Sequence, residues 1–82
     1  MQNTTIMAVA LDQREHEALK VQEVLTRFGC LIRVRLGVHD AGNACSREGL
    51  ILLTLSGDAR EISTLQNELS ALPGVSVKSM EL

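Results

Sequence analysis

The chain has 82 residues, 45% of them hydrophobic, with one Phe, no Trp or Tyr, and a formal net charge of −2. That composition argues against disorder, and without a basic excess the chain is not expected to bind nucleic acid directly. No apolar run approaches the ~18 residues of a membrane span, and two cysteines without a signal-like leader suggest a reducing, cytoplasmic setting with no membrane partner.

The expectation is a single domain, 1–82, with an aliphatic core. A chain of this size buries only roughly 60–65% of its unfolded surface, so the core is thin and a homo-oligomer, dimer or tetramer, is expected.

Residues 4–11 are apolar nearly throughout, which predicts a buried central strand. Asp12 follows, with Glu15 three residues on, a pairing that reads as a capping box opening a helix. Ala18, Val21, Leu25 and Phe28 then fall on one helical face, and Gly29 reads as a left-handed exit. Residues 30–39 alternate. Cys30, Ile32, Val34, Leu36 and Val38 are expected to be buried, while Arg33, Arg35 and His39 point the other way.

Residues 40–48 have loop composition. Residues 49–56 predict a strand. Asp58-Ala59-Arg60-Glu61 repeats the D-x-R-E pattern of Asp12-Gln13-Arg14-Glu15 and opens a second helix with Ile62, Leu65, Leu69 and Leu72 on one face. Pro73-Gly74 ends that helix, and 75–80 predict a last strand.

The order βαββαβ is the split-βαβ, ferredoxin-like arrangement. The fold class is therefore α+β, a ferredoxin-like βαββαβ sandwich. It has a four-stranded antiparallel sheet with two helices on one face. The other sheet face is left open for a partner, and the polar side of the second strand, with Arg33 and Arg35, is expected to lie there beside Thr54.

The chemistry is expected where the two halves differ. The connection after the second strand holds His39, Asp40, Cys45 and Glu48. Imidazole and thiolate together suit nickel, copper or zinc, so His39 and Cys45 are candidate metal ligands, half a site per chain. The bland alternative is a surface His and an incidental Cys. Arg33, Arg35, Asp40 and Glu48 are candidate ligand-binding or interface residues, with ordinary solvated charges as the alternative. No catalytic constellation stands out, so no enzyme is expected. No cofactor is required; a transition metal is the one candidate. The strands lack the aromatics on which RNA-binding modules of this topology stack bases.

Three segments carry a resemblance: Arg35-Leu36-Gly37-Val38, Glu48-Gly49-Leu50-Ile51, and Pro73-Gly74-Val75-Ser76-Val77-Lys78-Ser79. With Ala18, Val21, Leu25 and Phe28, they make residues 5–80 similar to the regulators assigned to the iron-only hydrogenase system. That resemblance implies an ACT-like domain found alone, acting through oligomerisation and a small-molecule or protein effector. It is also similar to the C-terminal domain of nickel-responsive repressors, where metal sits on His and Cys at a tetramer interface. His39 and Cys45 resemble that pair in spacing. Further His ligands have no match, since position 37 is Gly, and the ribbon-helix-helix DNA-binding part is not seen.

Overall fold

The computed structural model describes residues 4–12, 17–38 and 48–82. In chain order the elements are β1 (Thr4–Asp12), α1 (Ala18–Arg27), β2 (Ile32–Val38), β3 (Glu48–Ser56), α2 (Ala59–Ser70) and β4 (Val75–Glu81). The strands form one antiparallel sheet in the order β2-β3-β1-β4. This is the expected ferredoxin-like topology, with the two halves of the chain interleaved at β1 and β3.

Periodicity of two decides which side chains meet the helices. In β1 the buried residues are Met7, Val9 and Leu11, and in β3 they are Leu53 and Leu55. Against them pack Val21, Val24 and Leu25 of α1 and Ile62, Leu65 and Leu69 of α2. Leu31 and Val75 complete the cluster, with Phe28 and Leu72 partly buried at its margin. Each fully buried Leu or Val contributes roughly 1.5–3 kcal/mol by leaving water, so this single layer carries most of the stability. Arg27 Nη2 bonds Glu68 Oε1 at 2.7 Å and ties α1 to α2 at the surface.

The second D-x-R-E does what its chemistry predicts. Asp58 is the N-cap of α2, its Oδ1 accepting from the Arg60 N–H at 2.8 Å, with Glu61 in the first turn. The turn before it is tight. Gly57 has φ +153°, and a Cβ there would stand 2.6 Å from Leu31 Cδ2. Gly74, at φ +75°, makes the left-handed turn into β4.

Of the first D-x-R-E, Asp12 alone is among the described residues. Asp12 is the last residue of β1. It is paired with Glu48 of β3, and its N–H donates to Gly74 O at 2.8 Å. The N-cap position of α1 is Glu17, with no side-chain cap bond; residues 13–16 lie outside the described set.

Gly29 does not provide a left-handed exit either. Its φ is not positive, and the chain leaves α1 through a 3-10 turn over Gly29–Leu31, with Leu31 N–H donating to Phe28 O. Within that turn Cys30 is exposed rather than buried, because Leu31 takes the core position.

Candidate functional site

The side of the sheet away from the helices is the chain's most distinctive surface. Register places Ile6, Ala8 and Ala10 of β1 level with Thr54, Leu52 and Leu50 of β3. The same three β1 residues stand level with Met80, Lys78 and Ser76 of β4. Directly paired residues share a face, and these alternate with the core residues Met7, Val9, Leu53 and Leu55. At these three levels the face is aliphatic, with Thr54, Ser76 and Lys78 as its polar members; Thr4 level with Ser56 and Asp12 level with Glu48 close its two ends. Val34 and Leu36 of β2 are more than half exposed, as is Met80.

That result reverses the expected orientation of β2. Ile32 is level with Leu55 on the core side, but Val34 is level with Thr54 and Leu36 with Leu52. A bulge between Ile32 and Val34 absorbs Arg33 and shifts the strand by one residue. The shift exchanges the two faces of everything beyond it. Arg35 becomes level with Leu53, on the helix side. Its Nη2 donates to Gln22 Oε1 of α1. The expected pair of arginines on the open face is thus not formed: Arg33 stands in the bulge, and Arg35 bridges to α1.

Of the remaining candidates, His39, Asp40 and Cys45 lie outside the described residues. Glu48 is described for its backbone alone, where it opens β3 opposite Asp12. Among the described residues, no group of three His, Cys, Asp or Glu side chains could hold a metal. This does not bear on His39 or Cys45. What the fold supplies is placement. β2 ends at Val38, whose partner in the ladder is Leu50, so the connection carrying His39 and Cys45 leaves and re-enters the sheet on neighbouring strands.

Two concavities lie elsewhere on the molecule. A cleft of about 220 Å³ lies at the far end of the sheet, where Thr4 and Thr5, Glu81 and Leu82 meet Gly57 and the first turn of α2. A wider groove follows the outer side of α1 between Leu19 and Arg27, and Gln22, the acceptor for Arg35, lines it.

A family model described as "Iron-only hydrogenase system regulator, putative" matches residues 3–79. The chain belongs to this TM1266-like family. The structure of protein TM1266 from Thermotoga maritima superposes with a TM-score of 0.87 at 28% identity, covering 98% of this chain and 96% of that one. Two more distant structures share the fold. One is the nitrogen regulatory PII-like protein CPII of Thiomonas intermedia K12, solved with ADP, AMP and bicarbonate. It has a TM-score of 0.58 at 13% identity and covers 96% of this chain and 93% of that one. The other is a dimeric ferredoxin-like protein from Jannaschia sp. CCS1, with a TM-score of 0.52 at 17% identity, covering 96% of this chain and 99% of that one. None of the curated protein sequences matches.

In this TM1266-like chain the surface that sequence reasoning missed is the apolar one. Val34, Leu36 and Met80 read as core or strand-end residues because alternation alone does not say which parity faces the helices. The missing signal is the bulge, which depends on pairing with β3. No helix among the described residues is long and apolar enough to cross a membrane.

Proposed function

We propose that this chain is a non-enzymatic, cytoplasmic regulatory domain of an iron-only hydrogenase system, acting through self-association and the binding of a small molecule or another protein. The family match over residues 3–79 carries this reading. Three further observations support it. The helix-covered core leaves one sheet face apolar and bare among the described residues. A distant relative of the same fold is a PII-like regulator solved with nucleotides. Another neighbour is dimeric. Deleting the gene from the source organism should change hydrogenase activity or abundance, and a plasmid copy should restore it. Unchanged hydrogen evolution across growth conditions would overturn the reading.

A second reading is a transition-metal sensor or carrier that uses His39 and Cys45 at a subunit interface. The observation that favours it is the β2–β3 register, which starts the connection beside the edge of the free face. Each chain offers one imidazole and one thiolate, so a second copy would complete a four-ligand set. Titration with nickel and zinc should then show one metal per two chains, lost in the double variant His39→Ala, Cys45→Ala. Undiminished affinity in that variant rules the site out.

A further inference from the structure

We propose that two chains pair sheet against sheet across the free sheet face, about a two-fold axis running parallel to the strands. The inference rests on the self-association proposed above and names the surface and alignment that produce it.

The first argument is relief. Ala8 and Ala10 run down the inner strand β1 as a shallow trough, while Leu50 and Leu52 stand beside them on β3 as a ridge. A two-fold axis along the strands reverses the order β2-β3-β1-β4 and keeps every residue at its own level. Leu52 of one copy then lies over Ala8 of the other, and Leu50 over Ala10. Ridge fills trough twice, as an isologous interface requires. At the margins the same operation sets Val34 over Met80 of the second copy. It also sets Leu36 over Lys78 of the second copy, whose aliphatic stem can cover it while the ammonium reaches water.

The second argument is composition and area. Lys78 is the one charged residue at the three levels from Ile6 to Ala10; at the next level Asp12 is paired with Glu48. Depletion of charge is the mark of an interface centre and of homodimers especially. Four strands about 4.8 Å apart and seven residues at about 3.3 Å each make a sheet roughly 20 by 23 Å. With side-chain relief, two such faces bury about 1,200 Å², the lower end of what specific dimers use. Pairing along the outer edges of β2 or β4 would instead leave the aliphatic face in water, an exposed patch that soluble proteins avoid.

Sedimentation velocity on the purified chain tests this. The wild type should be a dimer at micromolar concentration. A monomer overturns both this inference and the self-association it rests on. Ala10→Glu puts a carboxylate on the inner strand β1 of this face, at an exposed position two strands from one edge and one strand from the other. It should keep the wild-type circular dichroism and raise the dimer dissociation constant roughly 100-fold or more.

An Ala10→Glu protein that is folded and still dimeric overturns the surface alone, leaving association through an edge or the helices. Should Ala10→Glu fail to fold, the edge-strand variants at Leu36 decide. Leu36→Lys should be at least roughly 10-fold weaker than Leu36→Glu, because one repels and the other attracts Lys78 of the second copy. Within a single chain Leu36 and Lys78 are separated by two intervening strands. Equal affinities for the two variants would overturn the proposed alignment. Leu19→Glu, on the outer side of α1, should remain dimeric; its dissociation would move the interface to the helices and overturn the proposal.

Discussion

The two faces of the sheet are built from the same strands and nearly the same residue types, yet they have opposite fates. The covered face holds Met7, Val9, Leu53 and Leu55, all at or below 1% exposure, beneath two amphipathic helices. The bare face holds Ile6, Ala8, Leu50 and Leu52, with Val34 and Leu36 more than half exposed. Hydrophobicity does not separate them. What separates them is whether an element among the described residues supplies the covering layer. The covered face therefore determines whether the monomer folds, and the bare face determines what the monomer can join.

That contrast can be broken most sharply at Leu65, which has no exposed surface and packs from α2 into the core. Leu65→Ala should cost about 2–5 kcal/mol of unfolding free energy, from lost transfer energy plus the cavity left behind. Urea unfolding at fixed protein concentration measures it. A cost below that range would mean that the helix layer is not what stabilises the covered face.

The next test concerns the turn that swings the chain from β3 onto the covered face. Gly57→Ala forces a side chain into φ +153° and against Leu31 Cδ2. A loss of about 1–3 kcal/mol is expected, read as a lower melting temperature with the sheet retained. Asp58→Ala removes the cap of α2 and should cost about 1 kcal/mol.

The smallest effects sharpen the comparison from the other side. Leu36→Ala, on the bare face, should change monomer stability by less than about 1 kcal/mol, while measurably weakening self-association. Arg27→Ala breaks the Arg27–Glu68 pair, whose Arg side chain is 59% exposed. It should cost at most about 0.5 kcal/mol, and less at high salt.

The comparison also explains which parts of the site were legible. Ile62, Leu65 and Leu69 announce their burial through helical spacing, a property of one segment. Val34 and Leu36 announce only that they share a side of β2. Whether that side meets α1 or open space depends on where the strand joins β3. Arg33 in the bulge changes that answer for Arg35 as well, which turns to Gln22.

By itself the sequence determined the βαββαβ order, the apolar stripe of each helix, the Asp58 cap and the end of the second helix at Pro73-Gly74. Each of these rests on interactions within a few residues, which the chain carries wherever it goes. Only the tertiary structure decided that Asp12 ends a strand, that Cys30 is exposed, and that β2 shows its aliphatic side to the bare face. The first and last depend on pairing with β3, and the second on Leu31 taking the core position. A two-residue period inverts at a single inserted residue, so no reading of β2 alone could have assigned its faces.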